Sequence, residues 1–223
     1  MTPIIEFENV TGIKGKFRLK DINFSLPAGY IMGLMGKNGA GKSTLMHYIL
    51  EEKKLYSGTI RLNGIDIHSR HGYLKNKIGF VSEDNPFFEE RTAEQNVEIL
   101  SRFYEVFDND MFKSAMKKME LSPKKTYGKM SRGERLKFQM AFAMAHKPDI
   151  YLIDEATAGM DPVFRMDFFR ILQDVVNEET ASVIMTSHIE SEMERKTDYV
   201  GILEDGVMIN FGESLDIIPQ QRG

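Results

Sequence analysis

The segment that decides the fold is Gly36-Lys37-Asn38-Gly39-Ala40-Gly41-Lys42-Ser43-Thr44, which follows the apolar run Tyr30-Ile31-Met32-Gly33-Leu34-Met35. It matches the phosphate-loop pattern of Gly, four residues and then Gly-Lys-Ser/Thr, placed between a strand and a helix. Glycines let the backbone wrap a phosphate chain and turn its N–H groups inward, and the following helix points its positive end at the same anion. We therefore predict a loop for the phosphates of a nucleoside triphosphate, formed by Gly36, Asn38, Gly39, Ala40, Gly41, Lys42, Ser43 and Thr44.

Two carboxylates follow a second apolar run, Ile150-Tyr151-Leu152-Ile153. We expect this run to be a strand next to the phosphate-loop strand, with Asp154 and Glu155 at the nucleotide. Mg²⁺ would then be held by the Ser43 hydroxyl and, through water, by Asp154, while Lys42 approaches the β- and γ-phosphates. Glu155 would accept a proton from the attacking water or orient it.

A second anion site is suggested by Ser131-Arg132-Gly133-Glu134, which opens a predicted helix over residues 135–145. Ser131 and Glu134 form a Ser-x-x-Glu capping box, and a helix start is a complete structural explanation of both. The same N-terminus also presents free N–H groups to an anion. His188, after the strand candidate 182–187, could donate a hydrogen bond to a γ-phosphate, although a histidine there is usually only a polar strand end.

Composition places few limits on the class of protein. The chain has 223 residues, of which 42% are hydrophobic and 28% charged, with no cysteine and a net charge of -4. These values are typical of one globular domain, and the negative charge gives no reason to expect nucleic-acid binding. The lack of cysteine excludes disulfides and favours a reducing cytosol. No apolar run approaches the ~18 residues of a membrane span and the N-terminus lacks a signal pattern, so we expect other chains to hold the protein at any membrane where it works.

The order of the predicted elements gives the fold class. Buried-strand candidates alternate with helices from Tyr30 onward, which predicts an α/β fold with a mainly parallel sheet. Alternating N-terminal strands, with hairpin turns at Asn63-Gly64 and Asp205-Gly206, predict an antiparallel β subdomain beside it. Phenylalanine and methionine recur at helical spacing between residues 92 and 119. We interpret residues 1–223 as one domain that contains a helical subdomain over residues 85–145.

Together these motifs resemble the ATP-binding subunit of an ABC transporter over nearly the whole chain. Residues 36–44 match the Walker A loop, residues 150–155 match Walker B with its catalytic glutamate, residues 158–161 match the D-loop, and His188 matches the switch histidine. Residues 130–134 stand in place of the signature Leu-Ser-Gly-Gly-Gln. The resemblance implies the ABC version of the P-loop NTPase fold, ATP and Mg²⁺ as ligands, and Lys42, Glu155 and His188 as catalytic residues.

The resemblance also implies partners. In that family two ATPase chains, identical or different, pack head to tail and hold each ATP between one chain's Walker A loop and the other's signature helix. Ser131 and the N–H of Gly133 would therefore contact the γ-phosphate of an ATP held by the partner chain. The closing and opening of the pair would drive integral membrane subunits docked between the αβ body and the helical insertion. This implies a cytoplasmic chain, peripheral on the inner face of the cell membrane.

The chain departs from the family pattern at several positions. Glu83 stands where the Q-loop has glutamine, Arg132 where the signature has its first glycine, and Glu134 where it has glutamine. Glu83 could still approach Mg²⁺ and is our third candidate metal ligand, after Ser43 and Asp154. Arg132 would add a cation near phosphate or the partner chain. These departures resemble the bacterial branch that exports drugs and antibiotic peptides.

Two other functions stay open on the sequence alone. A free-standing soluble ABC ATPase of an assembly or regulatory system would use the same motifs without transport. A phosphate-loop kinase would leave residues 131–134 and His188 unexplained. We prefer a transport ATPase that moves a solute, by export, through separate membrane subunits.

Overall fold

The computed structural model describes residues 3–14, 17–51, 53–83, 87–155, 159–179, 181–186 and 196–217. Its strands are, in chain order, β1 (Pro3–Lys14), β2 (Phe17–Pro27), β3 (Ile31–Met35), β4 (Tyr56–Leu62), β5 (Ile65–Asp66), β6 (Ile78–Ser82), β7 (Ile150–Asp154), β8 (Ser182–Thr186), β9 (Tyr199–Glu204) and β10 (Val207–Glu213). Its α-helices are α1 (Lys42–Leu50), α2 (His71–Lys75), α3 (Ala93–Leu100), α4 (Asn109–Lys118), α5 (Arg132–Ala145), α6 (Pro162–Glu179) and α7 (Ser214–Ile217). Short 3₁₀ helices cover Ser101–Phe103 and Tyr127–Lys129.

The described strands form two sheets. One is antiparallel, with the order β2-β1-β4-β5, and the other has the order β10-β9-β3-β8-β7-β6. In the second sheet the strands from β9 to β6 pair in parallel, and β10 runs antiparallel at the edge. The predicted α/β class, with a mainly parallel sheet and an antiparallel N-terminal sheet, is confirmed. The hairpin at Asp205-Gly206, however, joins β9 to β10 at the edge of the parallel sheet and not in the antiparallel one, where the sequence had led us to expect it.

The strand order corrects one expectation. The strand that ends in Asp154 is not the neighbour of the phosphate-loop strand, because β8 lies between them. Ile31 of β3 pairs with Val183 of β8, and Ile150 of β7 pairs with Ser182 of β8. An apolar run predicts that a strand is buried on both faces, but it does not say which strands flank it.

Side chains of the central strands alternate between two apolar cores. Tyr151 and Ile153 of β7 belong to the core shared with α3 to α6, whereas Ile150 and Leu152 belong to the core shared with α1 and the antiparallel sheet. All four are fully buried, and burial of each such side chain stabilises the fold by roughly 1.5–3 kcal/mol. The sheet is therefore fixed from both faces, which holds its carboxyl edge rigidly in place.

The helices α3, α4 and α5 lie in the chain between β6 and β7, which are paired neighbours in the sheet. The helical spacing predicted between residues 92 and 119 is confirmed for α3 and α4, but it does not continue through the loop of residues 104–108. Instead α3 ends at Leu100, and α4 starts anew where the Asp108 carboxylate caps the N–H groups of Asp110 and Met111. Because α3 to α5 share their core with the sheet, a separate subdomain over residues 85–145 stays a prediction.

Among the described residues, no helix has both the length and the apolar composition that it would need to cross a membrane.

Candidate nucleotide-binding site

The loop between β3 and α1 has a backbone that only glycine adopts without strain. Gly36 has φ of 147°, and a Cβ there would lie 2.3 Å from the carbonyl oxygen of Leu203. Gly41 has φ of 111° and is the N-cap residue of α1, and no side chain in the described part of the protein caps this helix. The first N–H groups of α1 are therefore left for an anion, as a phosphate loop requires.

Lys42 is the buried cation of this loop. Its side chain is 3% exposed, and Nζ donates hydrogen bonds to the carbonyl oxygens of Gly36 (2.8 Å) and Lys37 (3.2 Å). Nζ also lies 3.7 Å from Oε1 of Glu155. A buried ammonium is costly unless it is paired, and these oxygens hold its charge at the loop. The sequence-predicted lysine is thus fixed where a polyphosphate would need it.

Ser43, Asp154 and Thr186 form a chain of hydrogen bonds at the carboxyl edge of the sheet. Ser43 Oγ donates to Oδ1 of Asp154 at 3.1 Å, and the Thr186 hydroxyl donates to the same oxygen at 2.8 Å. Oxygen atoms of hydroxyl and carboxylate groups are the ligands that Mg²⁺ prefers, so the Ser43–Asp154 pair fits that ion chemically. Three elements, α1, β7 and β8, contribute to this cluster.

Thr186 is a site residue that the sequence analysis did not identify. It is 1% exposed, and its hydroxyl accepts a hydrogen bond from the backbone N–H of Glu155 at 2.7 Å. The available signal was a hydroxyl residue that ends the buried strand β8, directly before the segment that contains His188. Recognising its role required the strand order, because Thr186 acts on the neighbouring strand β7.

Glu155 has a left-handed backbone conformation, with φ of 48°. This conformation costs an L-residue about 1–2 kcal/mol, and the hydrogen bond from its N–H to Thr186 supports it. The turn lets the Glu155 carboxylate reach the Lys42 ammonium, although Glu155 stands one residue beyond the end of β7. Glu155 is 40% exposed and therefore accessible to water.

The structure brings Lys42, Ser43, Asp154 and Glu155 together, as the sequence predicts. It does not bring Glu83 to them: the Glu83 carboxylate forms an ion pair with the guanidinium of Arg132. The assignment of Glu83 as a metal ligand therefore stays a prediction. His188 and Ala158 of the D-loop lie outside the described residues.

The capping box at the start of α5 is confirmed. The N–H of Glu134 donates to Ser131 Oγ at 3.2 Å, and the N–H of Ser131 donates to Oε2 of Glu134 at 2.8 Å. The helix begins at Arg132, three residues earlier than predicted. Lys125, which donates to both carboxylate oxygens, and the N–H of Ser131 lower the pKa of Glu134 below its ordinary value.

Gly133 lies in the first turn of α5, where α6 packs closely. A Cβ at this position would lie 2.8 Å from the ring of Phe164. Glycine is therefore required for this helix start to approach α6, whatever anion the helix binds. Ser131 itself is exposed, so the N-terminus of α5 is open to a ligand or another chain.

A cavity of about 580 Å³ lies between the sheet and the helices α3 and α5, and its lining includes Phe80, Phe87, Tyr104 and His146. The His146 ring stacks on Tyr104 with 4.2 Å between ring centroids, and its Nδ1 lies 3.2 Å from the carbonyl oxygen of Asn76. Burial lowers the pKa of His146 to about 4, against the opposing effect of the Asn76 carbonyl. The ring is therefore neutral at pH 7, and the cavity combines aromatic walls with the charged side chain of Lys75.

Comparison with known proteins identifies a family. The family model described as ABC transporter matches residues 19–158. The chain is 34% identical to the ABC transporter ATP-binding protein YtrB of Bacillus subtilis, over 89% of this chain and 68% of that protein. It is 29% identical to the bacitracin transport ATP-binding protein BcrA of Enterococcus faecalis, over 94% and 69%. It is 31% identical to the linearmycin resistance ATP-binding protein LnrL of Bacillus subtilis, over 99% and 72%.

Solved structures give the same fold. The cbiO1 chain of Clostridium perfringens, part of the ABC transporter complex cbiONQ, superposes with a TM-score of 0.85 at 24% identity, over 99% of this chain and 92% of that one. The ATP-binding cassette MJ0796, solved as a dimer bound to ADP and Pi, superposes with a TM-score of 0.81 at 22% identity, over 94% and 98%. At these identities the similarity establishes the fold alone.

Proposed function

The chain belongs to the ABC transporter family, and from this premise we propose which of its residues perform each step. It is an ATPase subunit of the kind that dimerises on ATP and powers transport through separate membrane subunits. The observation that carries the assignment of the site is the buried Lys42, held by carbonyl oxygens of the loop and by Glu155.

The phosphate loop binds the triphosphate. The N–H groups of residues 36–44 surround the β-phosphate, and Lys42 exchanges its contacts with the loop carbonyls for the β- and γ-phosphate oxygens. The uncapped start of α1 adds the positive end of the helix dipole. The loop backbone and the helix start are preorganised by the fold, so only the Lys42 side chain has to change its partners.

Ser43 and Asp154 would hold Mg²⁺, which would neutralise negative charge on the phosphates of the nucleotide. The hydrogen bond between their side chains supports this assignment, because it places both oxygens at one point of the sheet edge. Glu83 would become a third ligand only by leaving Arg132.

Glu155 takes the proton of the attacking water, and its exposure and its position beside Lys42 support that role. His188 braces the γ-phosphate.

The second half of each site comes from a partner chain. Ser131 and the N–H of Gly133, at the exposed start of α5, bind the γ-phosphate of an ATP held by the other chain. The capping box fixes this helix start before the partner arrives. The partner is a second copy of this chain or a related ATPase.

The membrane subunits dock on the aromatic cavity between the sheet and α5. Its largely aromatic lining suits a short apolar helix of an integral membrane protein, and Phe103 at its edge is 79% exposed. The relatives named for bacitracin transport and linearmycin resistance support export of an antibiotic as the function. With the membrane subunits docked there, the chain would lie on the inner face of the membrane.

A mixing experiment tests the shared site. We expect Lys42→Ala chains and Ser131→Arg chains each to lack ATPase activity, because every homodimer site loses one half. In a 1:1 mixture half of the dimers are mixed and carry one intact site of two, so about a quarter of the wild-type activity should return. Lys53→Ala, which removes an exposed lysine, serves as the control and should keep full activity. A mixture that dimerises but stays inactive would contradict the head-to-tail arrangement.

A further inference from the structure

Two residues that depart from the family pattern contact each other. Glu83 follows β6, Arg132 begins α5, and their side chains form an ion pair. The guanidinium of Arg132 also lies beside Gly159, since its Nη1 is 3.1 Å from where a Cβ of that glycine would be. Arg132 therefore has its partners inside its own chain.

The backbone fixes Glu83 close to the nucleotide site. Ser82 pairs with Asp154 in the register of β6 and β7, so Glu83 stands one residue beyond the level of Asp154. The N–H of Ser82 donates to Oε1 of the buried Gln139 of α5 at 3.0 Å, and Gln139 Nε2 donates to the Tyr127 hydroxyl at 3.1 Å. These bonds tie the end of β6 to α5 and bring Glu83 within reach of Arg132.

A carboxylate at this position acts against nucleotide binding unless its charge is balanced. Asp154 and Glu155 already place two negative charges at the sheet edge, and a third would repel the phosphates of a nucleotide. The Arg132 cation cancels the charge of Glu83, and the ion pair turns the carboxylate toward α5. Both side chains are partly exposed, at 39% for Arg132 and 49% for Glu83, so the pair contributes little to folding stability.

We propose that Arg132 is a positioning residue for nucleotide binding, which neutralises Glu83 and holds its carboxylate away from the phosphates. This inference rests on the proposed nucleotide site. It explains why glutamate replaces glutamine at residue 83 in a chain whose signature contains arginine: each substitution compensates for the other. It also assigns the Arg132 guanidinium to its own chain and leaves the Ser131 hydroxyl and the backbone N–H groups of α5 for the partner's nucleotide.

Equilibrium binding of MgADP tests this proposal. ADP has no γ-phosphate and is not hydrolysed, so its binding reports on the phosphate loop without the partner chain. We expect Arg132→Gln to weaken ADP binding about three- to tenfold in about 0.02 M salt, and the difference to fall below about twofold in about 0.5 M salt, because added ions screen exposed charges. The double variant Glu83→Gln/Arg132→Gln and the conservative Arg132→Lys should both bind within about twofold of wild type.

Arg135→Gln is the matched control. Arg135 lies one turn further along α5 and also joins that helix to the segment after β6, through Glu89 at 2.7 Å and 3.0 Å. Its loss should leave ADP affinity unchanged, which separates charge balance from loosening of the helix. Wild-type affinity in Arg132→Gln, or binding by the double variant as weak as that of Arg132→Gln, would overturn the proposal. Normal ADP binding by Lys42→Ala would instead refute the nucleotide site itself.

Discussion

At the scale of single residues, the proposed chemistry depends on the hydroxyl of Thr186. This one group donates to Asp154 and accepts from the N–H of Glu155, so it aligns the proposed metal ligand with the proposed base. It is buried and lies on a different strand from both. Without that hydroxyl the strained backbone of Glu155 loses the hydrogen bond that supports it, so the Glu155 carboxylate would not keep its orientation. Asp154 would still accept the hydrogen bond from Ser43.

Thr186→Val therefore tests the arrangement of the site. Valine has nearly the same shape but leaves the Glu155 N–H without an acceptor, so we expect a loss of roughly 1–3 kcal/mol in folding stability. We also expect kcat for ATP hydrolysis to fall at least about tenfold, while ADP affinity changes little because Lys42 and the loop are untouched. Thr186→Ser keeps the hydroxyl and should keep most of the activity. Unchanged kcat in the valine variant would show that Thr186 is only structural.

At the scale of helices and strands, the sequence predicted turns and helix caps, but it did not predict which strands are neighbours in the sheet. The Asn63-Gly64 turn predicted the hairpin of β4 and β5, and both residues have the positive φ values such a turn requires. The capping box likewise marked the N-terminal end of α5, because it depends only on residues three apart in the sequence. The position of β8 between β3 and β7 depends on long-range packing, which periodicity does not encode.

The segment of residues 100–107 shows the same limit. Its aromatic residues keep helical spacing, yet Tyr104 and Phe107 pack on Phe142 of α5 from a loop, with ring centroids 5.6 Å and 5.1 Å apart. Residues 104–107 do not form a helix, because burying their aromatic rings against Phe142 stabilises the chain more than a modest helix propensity would. The contact forms one wall of the proposed docking cavity.

The end of α5 makes a testable prediction about pH. Because the pKa of His146 is lowered to about 4, its neutral ring contributes stability that is present above the unfolded pKa near 6.5 and is lost as pH falls toward 4. We expect His146→Phe, which keeps a stacked ring, to remove up to about 3 kcal/mol of that pH dependence. Urea unfolding between pH 7 and pH 4 measures it.

Tyr104→Phe is the control for this measurement. It keeps a ring against His146 and should preserve the wild-type dependence of stability on pH. If His146→Phe and the wild type lose stability in parallel as pH falls, the buried neutral histidine is not the cause.

At the scale of the whole molecule, one chain carries both of the halves that we propose for a shared nucleotide site. The first half is the phosphate loop with Lys42, Ser43, Asp154 and Glu155 at the carboxyl edge of the parallel sheet. The second is the exposed start of α5, where Ser131 and Glu134 hydrogen-bond to each other and Arg132 pairs with Glu83 of the same chain. Sequence motifs identified both halves. The pairing of Glu83 with Arg132 could not be predicted from the sequence, because it joins segments that lie far apart along the chain.

The central claim is that ATP is held between two chains, and the mass of Glu155→Gln in solution tests it most directly. Without the proposed base the variant should bind MgATP, fail to hydrolyse it and sediment with the mass of two chains, whereas with MgADP it should sediment as one chain. Adding Lys42→Ala should abolish the dimer. A Glu155→Gln chain that is saturated with MgATP and still sediments as a single chain at high protein concentration would contradict the account.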